Sequence, residues 1–210
     1  MLPRPTRCGQ AGNPKGTVLL PRSWSDISRK LMGVTLGLFR LPQHRLEAVC
    51  ANCEEQYRYD QEIGALLDPK DLSLAIGTEH IGMLYLGKTW DALTVLLDPM
   101  RRSESVWWSE GLPSTPTGAS VCGWHKAQER CVYENLRYNE SSEVQEIRSA
   151  FELLDLEALI AQHKVALLAE GYHTYDEPSF WMMLMEKLSL VRDFYHIAAD
   201  QEQAVLTELG

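Results

Sequence analysis

The sequence changes character at Met32, and that boundary constrains the fold more than any single motif does. Residues 1–31 are punctuated by Pro3, Pro5, Gly9, Gly12, Pro14, Gly16 and Pro21, so no helical or strand period survives more than a few positions. From Met32 onward, apolar residues recur at strand and helix spacings. The chain therefore divides into an unstructured extension over 1–31 and one folded domain over 32–210. Met32, directly ahead of the first strand, has the position of an initiator, with the leader an upstream extension.

Charge divides at the same place. The leader carries six basic side chains and one acid, Asp26, whereas residues 32–210 carry 14 basic and 28 acidic ones, a net of −14. Phosphate backbones and anionic lipid repel such a domain, which argues against nucleic acid and membrane surfaces. A basic protein is the complementary partner, although the same charge also serves solubility. The five cysteines, Cys8, Cys50, Cys53, Cys122 and Cys131, are too sparse and odd in number for a secreted disulfide framework. No window approaches the roughly 18 apolar residues of a membrane span, and the leader lacks a secretory apolar core. A reducing, cytoplasmic setting follows.

Gly33–Leu41, rich in β-branched and aromatic residues and stopped by Pro42, reads as a strand. Leu46, Val49, Cys50 and Cys53 then lie at i, i+3, i+4 and i+7, the apolar face of a helix over 43–56. A further helix start is expected at Asp68-Pro69. Residues 88–98 form a helix with Trp90, Leu93 and Leu97 on one side, ended by Pro99. Residues 99–135 hold Pro113, Pro116, Gly111, Gly118 and Gly123 and read as irregular, a length usually reserved for function or disorder. Ser142 with Gln145 suits a capping box, opening a helix striped by Val144, Ile147, Phe151 and Leu154. Helices carrying Leu156–Leu167 and, after Pro178, Phe180–Tyr195 follow. Ala204–Leu209 closes the chain as a strand paired with 33–41. These elements make a helix-rich α+β single domain packed around a small mixed sheet.

Several segments recur together, in this order, in one known family. They are the Met32-Gly33 strand, Tyr85-Leu-Gly-Lys-Thr-Trp-Asp-Ala-Leu-Thr-Val-Leu-Leu97, and Arg137-Tyr138 before Ser142-Glu-Val144. Met185-Glu-Lys-Leu188, Phe194-Tyr195 and Ala204-Val-Leu206 complete the set. In these the chain resembles the bacterial YfbM-like proteins, a domain family of unknown function, over 32–210. It departs from them over 99–135, and Thr94 and Val95 replace positions that are often histidine and phenylalanine. The resemblance implies the α+β fold and no catalytic residues. It also implies a possible role for some members as immunity factors beside secreted antibacterial toxins.

The candidate chemistry is sparse. Cys50-Ala-Asn-Cys53 with Cys122, His125 and Cys131 has the donor types of a tetrahedral zinc site, but cysteines on an apolar helix stripe usually act as small hydrophobes. No metal and no cofactor is expected. Glu79-His80 and Glu170 with His173 are acid–base pairs of a kind that chance produces in an acidic chain, so no catalytic residue is assigned. Trp107 and Trp108, flanked by Glu104 and Glu110, combine aromatic anchors with acids that complement a basic groove, set against the alternative that the rings cap the core. Glu140, Glu143, Glu146 and Glu152 read as a solvated helix face.

The reading that joins these features is a non-enzymatic acidic binding protein, an immunity or inhibitor protein that neutralises a basic toxin. The alternative is a small-molecule-binding protein or enzyme with a histidine–carboxylate cleft. One expectation is testable at once. Deleting residues 1–31 should leave the melting temperature within a few degrees, because little buried area is lost; a large drop would show that the leader packs on the domain.

Overall fold

The first strand reads as an apolar run interrupted by Arg40, because both of its faces are covered. The computed structural model describes residues 36–66, 82–87, 89–98, 112–127, 136–169 and 178–209. Strand β1, Leu36–Pro42, is buried from Leu36 to Leu41. Its side chains alternate between two cores: Leu36 and Leu38 enter the larger one, Phe39 and Leu41 the smaller. Strand β5, Gln203–Leu209, lies beside it in antiparallel register from Leu36↔Leu209 to Pro42↔Gln203, as the sequence leads one to expect. Val205 faces the larger core, and Ala204 and Leu206 face the smaller one.

Strand β2, Gly82–Gly87, borders β1, and β3, His125–Lys126, borders β4, Leu136–Asn139, giving the order β2-β1-β5-β4-β3. Every pairing is antiparallel, so the sheet is not mixed. Strand direction depends on how the connections cross the sheet, which apolar spacing does not carry.

Pro42 cannot continue the hydrogen-bond ladder and becomes the N-cap of α1, Gln43–Ala51. The single helix expected over 43–56 breaks at Asn52, whose backbone is extended (φ −142°, ψ 125°). Its side-chain oxygen accepts from Glu54 N at 2.8 Å, so Asn52 opens α2, Cys53–Leu66. Glu54 and Glu55 in the first turn of α2 suit the positive end of its dipole. Leu46 and Val49 of α1 join Tyr59 of α2 in the smaller core, where Phe39 meets the Tyr59 ring edge-on at 6.2 Å. The helix start expected at Asp68-Pro69 falls outside the described residues.

The larger core lies on the other face. Helix α3, Trp90–Leu97, is buried from Ala92 to Leu97. Its carbonyl end is closed by two hydroxyls, Thr115 Oγ1 and Thr117 Oγ1, each donating to Leu97 O at 2.9 Å. Buried Asp98 accepts from Ser114 N at 2.8 Å and also from the Ser114 hydroxyl. These bonds order part of the stretch read as irregular. Thr115 caps a short helix α4, Pro116–Cys122, by accepting from Gly118 N at 2.9 Å, with proline at its favoured first position.

Helix α5, Ser141–Glu152, begins two residues earlier than the Ser142–Gln145 pair suggests. Its N-cap is Glu140, and Glu143 closes the capping box by accepting from Glu140 N at 2.8 Å. Gln43 Oε1 accepts from Ser141 N at 3.1 Å, satisfying another first-turn donor and tying α1 to α5. Helices α6, Leu156–Ala169, and α7, Pro178–Asp200, complete the layer, and α5 and α7 both pack on β5.

One polar group sits at the centre of this layer. Asn139, fully buried at the end of β4, donates through Nδ2 to Ala119 O and to Tyr195 Oη, both at 2.9 Å. Its Oδ1 accepts from Trp124 N at 2.8 Å. Tyr195 Oη passes its own proton to Ser120 O at 3.0 Å, and burial raises the phenol's pKa well above the ordinary tyrosine value, keeping it a donor. Asn139→Ala should therefore cost about 2–4 kcal/mol, and Tyr195→Phe about 1–2 kcal/mol, because buried partners are left unsatisfied. Urea unfolding with an unchanged m-value checks this. Losses well below 1 kcal/mol in both variants would show that the network is dispensable.

Candidate functional site

Beyond α4 the chain must turn sharply under β4. Gly123 makes the turn at φ +66°, and a Cβ there would fall 2.8 Å from Arg137 Cβ and 2.9 Å from Tyr138 N. Both the backbone conformation and the close approach thus require glycine. Trp124 is then held by its amide bond to Asn139, and His125 comes into register opposite Tyr138. The two rings stack at 4.9 Å with an interplanar angle of 26°.

Glu143 meets His125 from the first turn of α5. Its Oε2 is held by the capping bond from Glu140 N, and its Oε1 lies 2.7 Å from His125 Nε2. The carboxylate is thereby fixed at both oxygens. An acceptor at Nε2 places the ring proton there and leaves Nδ1 as the acceptor in the neutral imidazole. Together with Leu112, Trp124, Lys126 and Glu146, the pair lines an open groove of about 530 Å³. The His125 side chain is 42% exposed, so the groove is reachable from solvent. Chemically, the arrangement presents an oriented carboxylate, an oriented imidazole and an indole within one concavity. It suits accepting hydrogen bonds from a cationic or donor-rich group, and it has the donor–acceptor order of a general-base pair.

The sequence-derived candidates fare unevenly. Glu104, Trp107, Trp108 and Glu110 lie outside the described residues, as do Glu79, His80, Glu170, His173 and Cys131. The break at Asn52 separates Cys50 from Cys53, so they do not share one continuous stripe. Cys50 is a half-buried free thiol, pushed up to about 11 by burial and then by Glu140. Cys53 is exposed and disulfide-bonded, a correction to its reading as a small buried hydrophobe. Cys122 is buried, with its sulfur 3.9 Å from Thr94 Oγ1, and His125 is engaged by Glu143. Among the described residues no group of three or more histidine, cysteine or acidic side chains is placed to hold a metal ion. Nor is any described helix long and apolar enough to cross a membrane.

The acidic helix face divides in two. Glu140, Glu146 and Glu152 are exposed, with Glu152 and Asp200 both paired to Arg148 at 3.0 and 2.7 Å. Glu143 instead turns inward to His125. That pair was missed because its members are 18 residues apart and meet only once β3 pairs with β4. The one local signal was an acid three residues after another acid at a helix start.

Comparison with known proteins places this architecture. The described fold is similar to "The Crystal Structure of a Protein of Unknown Function YfbM from Escherichia coli", with a TM-score of 0.56 and 14% identity over 84% of this chain and 99% of that one. No curated protein matches the sequence. Residues 32–208 match the family described as Domain of unknown function (DUF1877). The chain belongs to that family, the YfbM-like domain family of unknown function.

Proposed function

We propose that this protein is a non-enzymatic acidic binding protein that docks a basic partner, one of whose cationic side chains enters the groove beside His125. The observation that carries the reading is the carboxylate of Glu143, fixed at 2.7 Å from His125 Nε2 at the wall of an open groove. A shallow, open concavity suits a side chain presented by a protein better than a free metabolite, which usually needs most of its surface enclosed. Glu146 adds a second acid to the lining, and Trp124 offers an aromatic face to a cation. Leu112, 68% exposed, supplies an apolar contact at the edge. Lys126 stands in the same lining and would discriminate against cations entering from its side. The net charge of −14 over 32–210 would speed the encounter with a basic surface. Neutralising a basic toxin is the form of this activity that the family resemblance implies.

A second reading has its own observation. An imidazole whose tautomer is set by a carboxylate is also the arrangement of a general base, so a small molecule with an acidic proton is the alternative occupant. Titration of the isotope-labelled protein with hexa-arginine tests the first reading. Amide shifts should concentrate on 124–126, 143 and 146, and Glu146→Lys should weaken binding about three- to tenfold. Shifts spread evenly over the acidic surface, or none at all, would contradict it.

A further inference from the structure

Next to the opposite edge of the sheet, β1 carries a charge where its pattern calls for an apolar residue. Arg40, between Phe39 and Leu41, pairs in register with Gly82 of β2 and Val205 of β5. It is only 5% exposed. Its guanidinium lies across Gly82, where a Cβ would fall 1.7 Å from Arg40 Nε. Glycine is therefore what admits the side chain. Nη1 donates to Gln201 Oε1 at 2.7 Å. Of the five guanidinium donors, this is the one with a protein acceptor among the described residues, and no described carboxylate forms an ion pair with the group. Burial lowers its pKa from the ordinary arginine value. A largely buried guanidinium without an ion-pair partner among the described residues keeps donors available to an incoming anion.

That cation lines a pocket of about 220 Å³ between β1, β2 and α7. Most of the wall is apolar, formed by Leu84, Leu190, Phe194 and Ile197. Asp193 supplies a carboxylate to the lining; it is exposed and contacted by Arg192 Nε at 3.3 Å. The volume lies below the range of drug-sized sites and suits a small metabolite. A ligand matching all three surfaces must combine an anion, an apolar chain and a cation within a few bonds.

We propose that this pocket binds a free α-amino acid with an apolar side chain. Its carboxylate sits on the Arg40 guanidinium in a charge-assisted pair, its side chain packs against Leu190, Phe194 and Ile197, and its ammonium faces Asp193. The site is separate from the groove at His125 and stands whether or not that groove receives a basic partner.

Calorimetric titration of the full chain with L-leucine and L-phenylalanine tests the assignment. At least one should bind saturably at one site per chain. Arg40→Met should weaken it about 10- to 100-fold, the loss of a hydrogen-bonded charge contact. Asp193→Asn should weaken it less. Leucinamide, lacking the carboxylate, and 4-methylpentanoate, lacking the ammonium, should each bind more weakly than leucine. Because Arg40→Met also alters the sheet, Ile197→Trp provides a second test: at a half-exposed position it should fill the pocket, abolish binding and leave the melting temperature near that of the wild type. Absence of binding by both amino acids would overturn the proposal, as would affinity unchanged in Arg40→Met and Ile197→Trp. Binding of 4-methylpentanoate as tight as that of leucine would overturn it equally.

Discussion

The side-chain amide of Asn139 is the interaction on which the rest of the arrangement depends. An asparagine with no exposed surface is tolerable only when its donors and acceptor are met, and here both Nδ2 protons and Oδ1 are engaged. Its partners are Ala119 of α4, Tyr195 of α7 and Trp124 just ahead of β3, 20, 56 and 15 residues away in sequence. The amide thus does more than satisfy itself. It sets the height of β3 above α5, which places His125 within reach of Glu143. Hydrophobic contacts would permit small slides of these elements, whereas three directional bonds do not.

The residues around this centre show how a segment rich in proline, threonine and serine becomes ordered. Thr115 and Thr117 donate to the last carbonyl of α3, Asp98 gathers Ser114, and Gly118 is pressed against Asp98, where a Cβ would come within 2.7 Å. The segment supplies its own caps, so it needs few apolar residues to stay in place. The two edges of the sheet then differ in chemistry. The β3 edge presents fixed acceptors in an open groove, and the β2 side holds a largely buried arginine in a small, partly open pocket. If both proposed sites are occupied, one domain would combine a cation-accepting surface with an anion-accepting cavity.

Much of the fold was legible because its signals are local. The apolar runs at 33–41 and 204–209, and the 3.6-residue stripes over 88–98, 142–154 and 178–195, each specify an element without reference to the rest. What failed to read was what depends on side-chain bonding or on distant partners. Asn52 looks like an ordinary helical position until its side chain caps α2. β2 is a six-residue apolar run bounded by glycines, ambiguous until it pairs with β1. Glu140 and Glu143 form a capping box that two adjacent serines disguised. The site was the least legible part, since His125 and Glu143 meet through a register that no spacing encodes, and Arg40 sits unannounced inside a strand. The acids and tryptophans singled out at 104–110 lie outside the described residues, so the sequence argument for them stands apart from the groove.

Asn139 on this view positions the His125 strand and does not merely fill space. Amide hydrogen exchange on Asn139→Ala, under conditions where the variant remains folded, tests this most directly. Exchange reports local opening separately from global unfolding. Amides over 123–127 should lose protection far more than those of the β1–β5 ladder, with Trp124, whose donor loses its acceptor, the most affected. A variant in which 123–127 keeps its protection, or in which all strands lose it in equal measure, would contradict the claim.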